Sequence, residues 1–214
     1  MHRRHALATC RLCLGLAALG TPAAAADLHV LQEFRVQGPA GPILTQQRDI
    51  YVQGTTLALQ SPQGWLIIRP DLRTAWLLGL ERQILSTMPL AQLKFDAAGP
   101  GAAAASPAPL TATGESKTLA GLPCRVYRGS TPSVAVEVCV TRALPTLEQF
   151  STILGGRPEV PGIPLDFTIL VASAGQPSHR IAQRVVRIET APLDRMLFTV
   201  PSGPPAGTPA PRKP

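Results

Sequence analysis

Leu122–Thr141 reads LPCRVYRGSTPSVAVEVCVT, two short runs of alternating apolar and polar residues around Gly129-Ser130-Thr131-Pro132-Ser133. A period of two, β-branched side chains and a central cluster of turn formers spell an antiparallel hairpin. Opposed residues in a hairpin share a constant sum, so pairing Cys124 with Cys139 centres the turn between Thr131 and Pro132, inside the turn-forming run. The same register sets Tyr127 against Val136 and Arg125 against Val138. Directly opposed side chains hold their Cβ atoms ~4.5–5.5 Å apart, within disulfide reach after small adjustment. The spacing therefore predicts a structural Cys124–Cys139 bridge, worth ~3 kcal/mol in the chain-entropy model. A redox or metal pair is the rival reading, but no His or acidic cluster stands near the two thiols. A metal site ordinarily needs three or four ligands, so none is expected here.

The same punctuation divides the rest of the chain. A strand over Thr111–Leu119 precedes the hairpin, and strands near Leu165–Ala172 and His179–Thr190 follow it. Between them, Leu144, Leu147, Phe150, Ile153 and Leu154 fall at helical spacing, and Gly155-Gly156 ends the run, which predicts a helix. Upstream, Leu28, Val30, Phe34 and Val36 alternate onto one face. Strands over Ile43–Gln53, Thr55–Gln60, Trp65–Ile68 and Ala75–Leu78 follow, separated by Gly- and Pro-containing turns. The last two are apolar on both faces, as in central strands covered on each side. Pro89–Phe95 suggests a short helix. The inventory is a mainly β chain with minor α: about ten antiparallel strands and one or two short helices.

Composition separates this core from its attachments. Of 214 residues, 23 are Pro and only 15% are charged. Met1-His2-Arg3-Arg4-His5, the apolar run Leu12–Leu19 and Ala23–Ala26 follow the three-part pattern of a secretory signal, with cleavage after Ala26. The run is too short for the ~20 apolar residues of a membrane span. Cys10 and Cys13 fall inside this segment, which leaves Cys124 and Cys139 as an even pair in an oxidising compartment, periplasmic or secreted. Residues 97–110 (AAGPGAAAASPAPL) read as a linker or long loop and 201–214 (PSGPPAGTPAPRKP) as a disordered tail. One β domain over 27–200 is left.

Charge and motifs exclude several functions. Without Arg3, Arg4 and Arg11 the chain keeps 17 basic against 13 acidic residues, and its arginines are scattered. Nucleic-acid binding needs a clustered basic face, so it is not expected. Only His29 and His179 remain as histidines, and each reads as an exposed turn residue. Ser173 lacks the first glycine of a nucleophile elbow and follows a strand without leading into a helix. No zinc-protease, phosphate-loop, dinucleotide or calcium-loop pattern is present, so no catalytic residue and no cofactor is expected. A hydrolase using His179 is the least favoured reading. Apolar surface remains. Trp65, Ile67, Trp76, Leu78 and Leu80 exceed what a thin sheet needs with one wet face. They fit either a plain core sealed by the Leu144–Leu154 helix or a curved sheet keeping a cavity for an apolar ligand.

Four stretches carry a resemblance. Thr113-Gly114-Glu115-Ser116-Lys117-Thr118-Leu119-Ala120-Gly121-Leu122-Pro123-Cys124-Arg125-Val126-Tyr127 resembles the first hairpin strands of an uncharacterised exported bacterial family, a domain of unknown function. That family is related to the LolA-like periplasmic lipoprotein carriers. Val136–Thr141, Pro161-Gly162-Ile163-Pro164-Leu165 and Leu197-Phe198-Thr199-Val200-Pro201-Ser202-Gly203 resemble its later strands and its ending. The match covers 111–203 best. It implies an open antiparallel half-barrel with helices on the concave side, and in the carriers that cavity holds acyl chains. A lipid or lipoprotein acyl chain is therefore the partner the resemblance implies. A structural or protein-interaction module with a filled core is the alternative.

Overall fold

Runs rich in β-branched and aromatic residues, each cut short by Gly or Pro, have little choice but to extend and pair. The computed structural model describes residues 27–38, 41, 43–93, 109–157, 159–173 and 176–202. The proposed signal 1–26, with Cys10 and Cys13, most of the 97–110 loop and most of the 201–214 tail lie outside the described residues.

Eleven strands form one antiparallel sheet. They are β1 (Leu28–Gln37), β2 (Ile43–Gln53), β3 (Thr56–Ser61), β4 (Gly64–Arg69), β5 (Thr74–Leu78), β6 (Ile84–Pro89), β7 (Thr111–Leu119), β8 (Leu122–Ser130), β9 (Val134–Thr141), β10 (Ile163–Ser173) and β11 (Gln176–Thr190). Their order across the sheet is β6-β5-β4-β3-β2-β1-β11-β10-β9-β8-β7. Two meanders thus meet at the β1–β11 seam, and the outermost strands β6 and β7 are not paired to each other, so the sheet stays open. The expected mainly β, open antiparallel class is what the chain adopts.

All ten expected strands are present, and β6 is an addition. Its signal is weak because a bulge between Leu77 and Leu78 breaks the alternation opposite Leu85. The preceding turn also places Arg82, a residue not associated with turns, at φ 61°. Pro89 ends this edge strand and a 3-10 turn, Leu90–Gln92, follows it where a helix is expected over Pro89–Phe95, of which residues 94 and 95 lie outside the described residues.

The hairpin register is a second correction. Tyr127 pairs with Val138 and Arg125 with Val140, two residues on from the expected partners. The Thr131 amide donates to the Val134 carbonyl at 2.7 Å, and the Thr131 hydroxyl accepts from the Val134 amide at 3.1 Å. These bonds centre the turn between Pro132 and Ser133. A slip of two keeps every side chain on its own face, whereas a slip of one would invert them all. The disulfide therefore survives as a diagonal bridge: Cys139 lies opposite Val126, with Cα atoms of Cys124 and Cys139 5.4 Å apart.

A third correction concerns Leu144–Leu154. Pro145–Phe150 is a 3-10 helix, followed by turns that close with Gly155 at φ 89°. Leu144, Leu147 and Phe150 recur every three residues, the 3-10 period, so this winding stacks all three on one side. The expected central position of the two-sided strands is a fourth. Gly64–Ile68 of β4 are all buried, yet β4 is only third from the β6 edge.

At the other edge, β7 is stitched down by charge. Glu137 of β9 accepts from Lys117 of β7 at 2.6 Å and from Arg128 of β8 at 2.7 Å, and Arg128 also holds Glu115 of β7 at 2.7 Å. These bonds hold the Glu137 carboxyl below its usual 4.5. A lowered carboxylate stabilises the fold above its unfolded pKa, and that contribution disappears as pH falls through the folded one. Glu137→Gln should accordingly cost ~0.2–1 kcal/mol at neutral pH, the pair being half-exposed. In urea unfolding the difference should shrink and disappear as pH falls below the usual carboxylate range. Replacing both Cys124 and Cys139 by Ala should cost ~2–4 kcal/mol, and reductant should bring the wild-type chain to the same value.

Candidate functional site

The largest apolar face of the sheet is built by alternation across five strands. Leu28 and Val30 of β1 continue into Ile50 and Val52 of β2, Leu57 and Leu59 of β3, Leu66 and Ile68 of β4 and Ala75 of β5, all buried. Leu144, Leu147, Phe150 and Leu154 belong to the same cluster and roof this face. The roofing segment is here called the strap. The fit is close: the void left around Val30, Ile50, Leu147, Leu154, Leu165 and Val185 is about 10 Å³, at the limit for one water.

Few polar bonds anchor the strap. The Ser151 hydroxyl donates to the Gly162 carbonyl at 2.8 Å, the Gln183 side-chain amide donates to the Leu154 carbonyl at 3.0 Å, and the Gln149 amide reaches the Gly54 carbonyl at a long 3.5 Å. Gly162 must be glycine for this approach: its φ is +126°, and a Cβ there would stand 2.5 Å from the Thr141 carbonyl oxygen.

One end of this face is polar. Arg48 of β2 lies opposite Gln32 of β1, two residues before Ile50. Its guanidinium sits 5.4 Å above the Phe34 ring and donates from Nη2 to Gln183 Oε1 at 3.0 Å. The Arg48 Nε is buried and finds no partner among the described residues. No carboxylate among the described residues bonds it, and burial pushes its pKa down. A buried unpaired donor costs ~1–3 kcal/mol, more when charged. Gln32 and Gln183 beside it are themselves buried, at 2% and 5% exposure. Sequence reasoning passed over all three. The signal was the gap at position 32 in the Leu28, Val30, Phe34, Val36 alternation, an inward-facing polar position.

The residues nominated from sequence lie on the other face. Trp65, Ile67 and Leu78 form a buried cluster with Ala58 and Ile84, and Trp76 packs against it half-buried. Leu197, Phe198 and Val200 of the C-terminal segment cover this cluster, not the strap. Arg82 lies 4.6 Å above the Trp65 ring and donates to the carbonyls of Leu197 and Thr199, pinning that cover. Leu80 belongs to neither face and is 65% exposed.

His29 is not a turn residue: it lies in β1, with Nε2 2.7 Å from Asp49 and its ring stacked 4.7 Å from Tyr51. His179 is exposed on β11 opposite Val171. No cluster of three metal-ligating side chains occurs among the described residues. A separate concavity of about 500 Å³ is lined by Glu33, Arg35, Asp166, Arg180 and Arg184, and two of its arginines are neutralised locally, Arg35 by Glu33 and Arg184 by Asp166.

No family model matches the chain, and no curated protein does. Among solved structures, PNGF-II is similar over 81% of this chain at 13% identity with a TM-score of 0.45, and the chain spans 30% of its length. LolA superfamily protein NE2245 from Nitrosomonas europaea is similar over 82% of this chain and 90% of its own, at 11% identity and a TM-score of 0.38. A DUF1329 family protein from Desulfovibrio piger is similar over 83% of this chain and 91% of its own, at 11% identity and a TM-score of 0.28. Likenesses of this size carry no ligand, activity or partner to this chain.

Leu78 and Phe150 are fully buried, one in each of the two covered clusters, whereas Leu80 stands outside both. Leu78→Ala should cost ~2–5 kcal/mol and Phe150→Ala ~3–5, each opening a cavity. Leu80→Ala should stay within about 0.5 kcal/mol. Urea unfolding of the three variants checks the assignment.

Proposed function

We propose that this chain is an exported, non-catalytic carrier that holds a lipid, an acyl chain or another apolar group between the sheet face of β1–β5 and the strap. One observation carries the reading: the largest apolar face is roofed by a short 3-10 strap with few polar anchors, and beside it lies a half-buried guanidinium whose buried Nε has no partner among the described residues. A plain core has no use for that arrangement. Each methylene of a ligand entering beneath the strap contributes ~0.8 kcal/mol. The void of about 10 Å³ means that the chain of the ligand takes space now held by Leu147, Phe150 and Leu154, so binding requires the strap to rise.

Export is supported by the Cys124–Cys139 bridge, a feature of oxidising compartments, and by the signal pattern of residues 1–26. Among the described residues no helix is long and apolar enough to cross a membrane. The tight fit under the strap favours a second reading, a structural or interaction module whose core is already complete.

Native mass spectrometry of gently purified protein, with titration of an apolar fluorescent dye, separates the two. A carrier yields lipid-mass adducts, and its dye is displaced by an acyl chain. Recovery of bare protein, together with an unchanged dye signal, favours the filled module. Ser151→Ala removes one anchor of the strap, a bond worth about 1 kcal/mol. It should raise dye affinity up to about fivefold if closure competes with binding.

A further inference from the structure

Six arginines of the described chain pair with carboxylates: Arg35 with Glu33, Arg69 with Asp71, Arg128 with Glu115 and Glu137, Arg157 with Glu159, Arg184 with Asp166 and Arg187 with Glu189. All of these pairs have at least one half-exposed or exposed partner, where a counter-ion matters least. Arg48, itself half-buried, bonds no carboxylate among the described residues. Its charge lies against an aromatic ring and neutral amides, with Nε buried and unpaired. A desolvated cation of this kind is costly until an anion reaches it, and a guanidinium presents several N–H donors to carboxylate or phosphate oxygens.

We propose that the ligand beneath the strap is an acidic amphiphile, whose carboxylate or phosphate head is bound by Arg48 while its apolar chain lies along the face beyond Ile50. This rests on the carrier reading above and adds the class of ligand. The placement suits both ends of such a molecule. Ile50 follows Arg48 by two positions on β2, ~7 Å along the strand, and points to the same side. Head and chain are thus received by adjacent inward-facing positions.

Gln183 makes the head and the strap communicate. Its Oε1 accepts from Arg48, and its Nε2 donates to the Leu154 carbonyl, so one side chain links the cation to the roof. An anion that draws the guanidinium away from Gln183 removes the bond that orients that amide toward Leu154. The acid head and the rise of the strap therefore favour each other.

The test is displacement of an apolar dye from the purified chain by matched ligands at about pH 8: oleate against oleyl alcohol, and lysophosphatidic acid against monoolein. The wild-type chain should prefer the acid of at least one pair about tenfold or more. Which pair discriminates tells a fatty-acid carboxylate from a phospholipid phosphate. Arg48→Met should reduce the preference to about twofold or less; because it also removes the bond to Gln183, neutral ligands should bind it at least as tightly as they bind the wild type, and Arg48→Lys should keep part of the preference. Equal binding of acid and neutral members by the wild type overturns the inference alone, as does a preference that survives Arg48→Met. Failure of every ligand to displace or bind overturns the carrier reading with it. The wild-type comparison decides even if a variant folds poorly.

Discussion

A sheet that does not close must hide two apolar faces with whatever chain is left over, and the rest of this structure follows from that constraint. Across β3 and β4 both sets of alternating side chains are apolar, so neither face can meet water. The strap answers one face with Leu147 and Phe150, and a C-terminal 3-10 turn over Arg195–Phe198 answers the other with Leu197 and Phe198. Burial at ~25 cal/mol per Å² is the main reward for both. The two covers are fixed by different means. Arg82 bonds the carbonyls beneath the C-terminal cover, whereas the strap is held by Ser151 and Gln183 and, at longer range, by Gln149.

The same open sheet leaves two edges. A free edge invites pairing with another chain, and proteins blunt it with charge, bulges and proline. β7 carries Glu115 and Lys117 in an ion-pair ladder, and its pairing with β8 is irregular between Ala112 and Ser116. β6 is short, has a bulge opposite it and ends at Pro89. Both edges bear the marks of a sheet kept from growing.

Much of this was legible in the chain. Ten strands could be read because most are bounded by Gly or Pro and either alternate or are too short and β-branched to be helices. The Cys pair gave its own bridge, and the register error of two left every face correct. What escaped depends on tertiary choice. Leu144, Leu147 and Phe150 serve an α-helix and a 3-10 helix almost equally until a surface selects the tighter one. Alternation in β4 and β5 identifies two apolar faces without saying which the strap will cover, and the face of Trp65 and Ile67 met the C-terminal segment instead. Arg48 and Gln32 are polar residues at inward positions, and only the folded sheet brings them together with Gln183, 135 residues further along the chain from Arg48.

The seam between β1 and β11 sets the order in which the molecule can be assembled. Leu28 pairs with Thr190, so the first strand finds its second neighbour only when the last has been made. Until then β1 exposes a full row of amides and carbonyls in the middle of the future sheet. The β1–β6 meander can form from local turns, but joining it to β7–β11 closes a loop of nearly the whole domain, an entropic cost that slows folding. A chain built this way stays unfinished until its final strand arrives, and locks only then.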